Sequence, residues 1–312
     1  MEDLVSVIMS TYNEKVDWVR ASIESIAFQT HKKIEFIIVL DNPNNFELEE
    51  LVSSFEKEIS FIQIVRNDKN MGLVASLNKA LKLCNGKYIA RMDADDISDK
   101  YRLEKQIKFI NDNHVDFTYS GVNTINEEGE VIFSQDYSKL SHIEVSSRLK
   151  YKNITNHPTW FVRKEVYDSL NGYRNIPYCE DYDFVLRAIS KGYKVMQMDE
   201  NVLQYRVRKD GVSRTYSLEQ YLNSSVISKM YKNSLLENNK LVFAAVQKNR
   251  SISVKEKSDR FSKAERLFLK GNFLYRKKSH YSGLIYMLLS NFHSIYFMRS
   301  NLDRIRYKYA VR

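Results

Sequence analysis

Hydrophobic and polar positions follow two alternating periods over roughly the first ninety residues. Short apolar runs predict buried strands at 4–9, 34–40, 59–65 and 87–92, and amphipathic stretches predict helices at 14–29, 46–57 and 73–84. Strands that are apolar throughout and joined by such helices are typical of a parallel sheet covered on both faces. The pattern therefore predicts an α/β fold with a mostly parallel sheet flanked by helices.

The loops that follow these four strands are all polar, and they read STYNE, DNPNN, RNDKNMG and DADD. Ligands of open α/β sheets bind at the carboxyl ends of the strands. We therefore expect the four loops to form one crevice. Beyond residue 115 the pattern predicts a strand hairpin with a Glu-Gly turn, and then a helix that opens at Glu180 and Asp181.

Charge is distributed unevenly along the chain. Residues 1–216 carry 29 Lys and Arg against 33 Asp and Glu, whereas residues 217–312 carry 19 against 6. The net charge of +9 thus comes from a basic, aromatic-rich C-terminal extension with helical spacing. Two cysteines without metal-ligand spacing, and a start without a basic segment before an apolar core, predict a protein of the cytoplasm.

The acidic loop after the fourth strand suggests metal chemistry. Asp93, Asp95 and Asp96 fall within four residues, and alternation along an extended backbone would point Asp93 and Asp95 to the same side. Mg²⁺ and Mn²⁺ prefer such oxygen ligands. A solvated acidic turn or a helix cap formed by Asp96 or Ser98 is the alternative.

Seven motifs in order carry a resemblance: VSVIMSTYNE, FIIVLDNPNN, VRNDKNMGLVASLNKAL, GKYIARMDADD, NHPTWFVRKEV, NGYRN and EDYDFVLRA. From residue 4 to about 215 the sequence resembles the family 2 glycosyltransferases, inverting sugar-nucleotide enzymes with the Rossmann-like GT-A fold. The resemblance is strongest to the enzymes of bacterial capsule, lipopolysaccharide and exopolysaccharide synthesis. It implies a glycosyltransferase domain at 1–216, with a nucleotide-binding half at 1–98 and an acceptor half at 99–216, before the helical domain at 217–312.

The resemblance also implies roles for residues of the first half. Thr11, Tyr12 and Glu14 would border the donor nucleotide, and Asp41 would hydrogen-bond its base, although Asn42 stands where the family often has a second Asp. Arg66 would lie near the diphosphate, with a surface salt bridge as the alternative. The remaining donor-site positions are Asp93, near the ribose or the metal, and Asp95, the direct ligand of Mn²⁺ or Mg²⁺.

In the second half, the acidic pair matches the family's catalytic base, which makes Asp181 the expected base and Glu180 the second choice. His157 and Trp160 match a segment on the acceptor side, although either could be structural. A late loop with Arg206, Arg208 and Ser213 would close over the diphosphate. The His that many relatives carry near that loop is missing here, so Arg208 could supply charge in its place.

The basic extension suggests attachment to a membrane. Residues 281–298 contain no Lys, Arg, Asp or Glu and are flanked by basic residues, but several Ser, Asn and His make them a weak membrane span. We expect a helix that lies on an anionic membrane surface, with a soluble helical bundle as the alternative. No recognition motif supports nucleic-acid binding, and a homodimer is left open.

The resemblance implies transfer of a sugar from a nucleotide sugar, with a UDP-sugar favoured, to a hydroxyl of a glycan acceptor. A polyprenyl-diphosphate-linked acceptor would place the protein at the inner face of the plasma membrane. Two other classes stay open: an inactive membrane-associated scaffold, and a nucleotidyltransferase. The second is expected to have a Gly-rich basic loop near its N-terminus, which STYNE is not.

Overall fold

The computed structural model describes residues 3–208, 215–252, 254–277 and 279–310. Its first four strands are parallel and lie in the order β3-β2-β1-β4. They are β1 (Val5–Thr11), β2 (Ile34–Leu40), β3 (Ile62–Arg66) and β4 (Tyr88–Asp93), and the helices between them are α1 (Val16–Ala27), α2 (Phe46–Glu58) and α3 (Leu73–Leu81). The strands and helices predicted from the apolar pattern are thus confirmed, and all four polar loops lie at one edge of the sheet.

The sheet continues beyond β4 with strands of mixed direction, in the order β8-β6-β9-β5. The hairpin β6–β7 is the one that the sequence predicts, and its turn contains Gly129. The elements are β5 (Ile97–Ser98), α4 (Arg102–Asn113), β6 (Phe117–Ile125), β7 (Val131–Phe133), α5 (His142–Leu149), β8 (Phe161–Arg163), α6 (Lys164–Leu170), α7 (Glu180–Ser190) and β9 (Val195–Arg206). Because β8 is antiparallel to both β4 and β6, it joins the two halves of the sheet.

The described C-terminal residues are helical. The helices are α8 (Ser217–Lys232), α9 (Asn239–Ile252), α10 (Lys255–Arg276), α11 (His280–His293) and α12 (Ile295–Ala310). Residues 281–298 do not form one segment, because Ser294 is extended and separates α11 from α12. Among the described residues, no helix is both long and apolar enough to span a bilayer.

Contacts divide the chain into two compact units. The first comprises Met1–Ser146, Ile154–Asn175 and Phe184–Arg208, and the second comprises Ser147–Asn153, Ile176–Asp183 and Lys209–Arg312. The sheet and the acidic loop belong to the first unit, whose main core packs β1, β2 and β4 against α1 and α2. The acidic pair at the start of α7 belongs to the second unit, whose buried cluster is small and centred on Phe261 and Phe297.

Candidate active site

Three carboxylates converge where β4 ends. Asp93 is the last residue of the strand, Ala94 and Asp95 form a tight turn, and Asp96 leads into β5. One oxygen from each of the three aspartates lies within 4.8 Å of the others. The turn, rather than an extended backbone, brings these side chains together.

The acidic cluster is electrostatically strained. Burial, reinforced by Asp93, raises the pKa of Asp95 to about 7. Asp96 has no solvent exposure, and its burial, with the charges of Asp93 and Asp95, raises its pKa well above the usual value. Its Oδ1 accepts a hydrogen bond from the backbone N–H of Arg206, but its Oδ2 has no hydrogen-bond partner among the described residues. A buried acceptor of this kind is costly unless something binds it.

The donor set fits a hard divalent cation. All three groups are carboxylates, their oxygens lie close enough to share one ion, and Oδ2 of Asp96 has no hydrogen-bond partner within the described part of the chain. Mg²⁺ and Mn²⁺ favour oxygen ligands and leave positions for phosphate. Asp93 and Asp95 are thus near each other, their role as metal ligands stays a prediction, and Asp96 is a third ligand candidate. Neither Asp96 nor Ser98 caps the following helix, because α4 begins only at Arg102.

Arg208 links two loops at the edge of the sheet. Its Nε lies 3.1 Å from Oδ2 of Asp95, and its Nη1 lies 3.9 Å from Oε1 of Glu14. A guanidinium therefore lies between the acidic turn and the loop after β1. The sequence predicts charge from Arg208 at this point, and the structure shows which carboxylates receive it. Ser213, from the same predicted loop, lies outside the described residues.

Arg206 is buried, and its guanidinium forms hydrogen bonds within the protein. Its Nε donates to the carbonyl of Asp95, and its Nη1 donates to the carbonyls of Asn126 and Glu127. The guanidinium also lies 5.1 Å from the ring centroid of Trp18. These contacts hold the acidic turn against the β6–β7 hairpin. The contact of Arg206 with a diphosphate stays a prediction.

Two buried arginines lie behind the acidic turn, and the sequence reasoning missed both. Arg91 on β4 forms an ion pair with Asp93. Arg102 has no solvent exposure and donates to the carbonyl of Arg91 and to the side chain of Gln106. Burial, together with the charge of Arg91, lowers the pKa of Arg102 to about 9. For Arg91 the available signal was a charged residue inside the apolar run KYIARM.

The loop after β1 is ordered by Glu14. Its Oε2 accepts hydrogen bonds from Oγ1 of Thr11 and from the backbone N–H of Tyr12, at 2.8 and 2.7 Å. Tyr12 is 40% exposed, which suits stacking on a base. Beside this loop a cleft of about 380 Å³ is lined by Asn13, Asn42, Asn44, Asn45, Phe46 and Glu47.

Asp41 holds the loop after β3. Its Oδ1 accepts from Asn67 Nδ2 and from the N–H of Met71, and its Oδ2 accepts from the N–H of Gly72. Gly72 has a φ of 81°, which L side chains rarely adopt. The Asp41 carboxylate thus accepts three hydrogen bonds within the protein. Its predicted hydrogen bond with the base would use the remaining lone pair of Oδ2.

Arg66 forms the surface ion pair that the sequence left as the alternative. Its guanidinium lies 2.7 Å from Glu49 and 3.8 Å from Glu56, and its Nη2 donates to Oγ of Ser53. These three partners lie on α2.

His157 and Trp160 belong to the core of the first unit. Trp160 has no solvent exposure and packs against Phe117 and Phe184, so its ring has no face for an acceptor sugar. Nε2 of His157 lies 2.8 Å from the Tyr173 hydroxyl, and burial holds the pKa of His157 well below its usual value. The structural alternative for both residues is the one that the structure shows.

In the second unit, α7 begins at the acidic pair. The Nδ2 of Asn153 donates to Oδ2 of Asp181 at 2.8 Å, and the N–H of Tyr182 donates to Oδ1. Tyr182 is itself fixed by a hydrogen bond from its hydroxyl to the carbonyl of Leu149. The Asp181 carboxylate is thereby oriented, and both Asp181 and Glu180 keep partial exposure.

The family model that matches the chain is described as "Glycosyl transferase family 2" and covers residues 6–170. An uncharacterized glycosyltransferase of Methanocaldococcus jannaschii is 39% identical over 205 residues, which are 65% of this chain and 71% of that protein. The O-antigen biosynthesis glycosyltransferase WbnJ of Escherichia coli is 30% identical, over 72% of this chain and 92% of its own length. The E. coli UDP-Glc:alpha-D-GlcNAc-diphosphoundecaprenol beta-1,3-glucosyltransferase WfaP is 31% identical, over 72% and 86%.

Solved structures share the fold. S. aureus TarS in complex with UDP-GlcNAc has a TM-score of 0.59 at 18% identity, over 85% of this chain and 80% of that one. The mannosyltransferase PcManGT of Pyrobaculum calidifontis, in complex with GDP-Man and Mn²⁺, has a TM-score of 0.61 at 15% identity, over 94% and 88%. The predicted α/β fold with a C-terminal helical region is confirmed.

Proposed function

The chain belongs to glycosyl transferase family 2 and is a glycosyltransferase, and from this premise we propose that it uses a UDP-sugar and a divalent cation. The acidic turn carries the proposal, because Asp93, Asp95 and Asp96 bring three carboxylates within reach of one ion. Mn²⁺ or Mg²⁺, when bound there, would neutralise charge on the departing nucleoside diphosphate. The complex of TarS with UDP-GlcNAc supports the UDP-sugar, and the complex of PcManGT with Mn²⁺ supports the divalent cation.

The chain's own residues would then position the donor. We assign the nucleotide to the loops after β1 and β2, where Tyr12 offers an exposed ring and Thr11 and Glu14 fix its backbone. The remaining acceptor capacity of Asp41 is assigned to the base. Arg208 is assigned to the diphosphate, because its guanidinium lies beside Asp95.

An inverting transfer needs a base that takes the proton of the acceptor hydroxyl. We assign this role to Asp181, whose carboxylate is oriented by Asn153 and by the N–H of Tyr182. Glu180 is the second choice. The acceptor is proposed to be a sugar on a polyprenyl-diphosphate lipid in bacterial surface polysaccharide synthesis, which the names of WfaP and WbnJ support. Such an acceptor would place the protein in the cytoplasm, at the inner face of the plasma membrane.

The first test is a melting-temperature series with UDP, dTDP, GDP and CMP, each with Mn²⁺ and with chelator. We expect UDP to stabilise the protein only with Mn²⁺, by mass action on the folded state. Asp95→Ala should abolish this shift, and Asp112→Asn, which removes an exposed aspartate charge on α4, should keep it. Stabilisation of Asp95→Ala equal to that of the native chain would overturn the metal assignment.

Turnover separates the catalytic proposal from the inactive-scaffold alternative. A synthetic sugar-diphosphate lipid and UDP-sugars are incubated with the protein, and the product's anomeric configuration is read by NMR. Asp181→Asn should retain the Mn²⁺-dependent UDP shift and lose transfer. If that variant lost both, Asp181 would be a structural residue. Release of pyrophosphate from a nucleoside triphosphate and a sugar phosphate would instead favour the nucleotidyltransferase alternative.

A further inference from the structure

Helix α11 presents its apolar side chains to solvent. Tyr281 is 87% exposed, Leu288 is 62% exposed and Phe292 is 83% exposed. With Leu284, Ile285 and Leu289 they recur at the spacing of a single helix face. Isolated exposed apolar residues are ordinary, but six on one face form a contiguous patch that marks an interaction surface.

The opposite face of α11 makes the contacts with the rest of the second unit. Its buried residues are Gly283 and Ser290. A Cβ on Gly283 would lie 2.8 Å from the carbonyl of Gly271 on α10, so the two helices cross with their backbones in close approach. The helix therefore packs through Gly283 and Ser290, with Tyr286 and Met287 half-buried beside them, and leaves the six apolar residues of its other face exposed.

The sequence around α11 is basic. Residues 266–302 contain no Asp or Glu and six Lys and Arg, and Glu265 and Asp303 flank this range. On α10, Lys270 lies 4.4 Å from the ring centroid of Tyr286, so at least one of these cations lies against α11. A second copy of the chain would bring the same basic residues together, with repulsion. An anionic lipid surface would attract the basic residues and receive the apolar ones.

We infer that the exposed face of α11 docks into the interfacial region of an anionic lipid bilayer, with the α11 axis parallel to the membrane plane. Tyr281, Leu288 and Phe292 are the residues that enter the acyl boundary. The inference deepens the proposed action on a lipid-linked acceptor, because it names the surface that keeps the enzyme at that acceptor. No described helix is required to cross the bilayer.

The test is flotation of the full chain with vesicles of phosphatidylcholine alone and of phosphatidylcholine with phosphatidylglycerol. We expect binding to the anionic vesicles that weakens with salt. The double variant Leu288→Gln/Phe292→Gln should lose about tenfold in vesicle affinity, because two large apolar side chains no longer enter the lipid. Leu241→Gln/Phe243→Gln is the matched control, since it makes the same changes at exposed positions of α9, and it should bind like the native chain.

Three results would overturn the inference. They are failure of the native chain to bind anionic vesicles, equal binding of both double variants, or a lipid-free dimer that the α11 variant alone converts to monomer. The Mn²⁺-dependent UDP shift is recorded for every variant. A chain that binds vesicles but shows no UDP shift would refute the donor proposal and leave the docking surface standing. Loss of vesicle binding with the UDP shift intact would support the inference only if the control retained binding.

Discussion

In the first unit Arg91, Arg102 and Asp96 lie in the interior, whereas in the second unit Tyr281, Leu288 and Phe292 lie on the surface. Buried charges normally need partners, and large exposed apolar patches are rare on monomers. Both regions therefore depart from the ordinary pattern of buried apolar and exposed charged side chains. We explain each departure by a binding partner other than water. We propose a cation and a diphosphate as the partners of the acidic turn, and lipid as the partner of the α11 face.

The largest effect is expected from neutralising the buried carboxylate of Asp96. Asp96→Asn retains an oxygen for the Arg206 N–H but removes a charge that Asp93 and Asp95 oppose. We expect the chelated protein to melt at a higher temperature and transfer to fall by about 100-fold, as an ion ligand is lost. Calorimetry and a transfer assay measure the two. A variant that is less stable yet fully active would show that Asp96 only supports the fold.

A smaller effect is expected from removing the Arg208 guanidinium, which lies beside the proposed metal ligand Asp95. Arg208 lies 3.1 Å from Asp95, so it should compete with Mn²⁺ for that carboxylate. Arg208→Gln should bind Mn²⁺ about tenfold more tightly without nucleotide, and should gain less Mn²⁺ affinity from added UDP. Titration with detection of free Mn²⁺ by EPR measures both affinities. Lys15→Met, which removes an exposed charge paired with Glu127, is the control. Weaker Mn²⁺ binding by Arg208→Gln would mean that Arg208 assists the ion.

The packing of α11 on α10 depends on two glycines. In Gly283→Val the new Cβ would lie 2.7 Å from the backbone N of Tyr275 and 2.8 Å from the carbonyl of Gly271. We expect a loss of about 1–3 kcal/mol in the stability of the helical unit, which is typical of overpacking. Ser282→Val, an exposed neighbour on the same helix, is the control. Hydrogen exchange on α10 and α11 measures the change, and equal protection in both variants would show that the helices do not cross this closely.

The pH dependence should report Asp95. Its pKa is raised to about 7 from an ordinary 3.8, so between these values the folded chain holds a proton that the unfolded chain has released. This contribution to stability is complete below the unfolded pKa and is lost as the pH rises through about 7. In chelator, the melting temperature should fall by a few degrees from about pH 5 to about pH 8, and Asp95→Asn should fall less. An identical slope in the variant would assign the titration elsewhere.

The sequence predicts most of the first half because its apolar runs are continuous. The strands at β1, β2, β3 and β4 need only hydrophobic periodicity, and the acidic triplet follows from its place after β4. The partners of polar side chains were harder to predict, because they depend on elements distant in the chain. The Arg206 guanidinium donates hydrogen bonds to the carbonyls of Asp95 and Asn126, and no local sequence pattern predicts these contacts.

Two features of the structure could not be predicted from the sequence, for local reasons. Trp160 follows a short 3₁₀ turn, and its ring enters the core between β6 and α7, where aromatic neighbours surround it. Residues 281–298 contain no Lys, Arg, Asp or Glu, which suggested one segment, but the extended backbone of Ser294 ends α11. Burial and helix breaks of this kind are set by packing, and composition alone does not specify them.

The smallest effect is expected at Arg66, whose side chain is 46% exposed and whose guanidinium pairs with Glu49. Exposed ion pairs contribute about 0–1 kcal/mol, so Arg66→Met should lose little stability and bind UDP with Mn²⁺ nearly as well as the native chain. Glu49→Gln is the informative companion, because it breaks the same pair and keeps the guanidinium. If Arg66 only serves the ion pair, the two variants behave alike in calorimetric titrations with UDP. If Arg66→Met alone loses about tenfold in affinity, the guanidinium leaves α2 to meet the diphosphate, as the resemblance implied. Arg66 would then be a surface charge that pairs with Glu49 in the free enzyme and with the diphosphate in the complex.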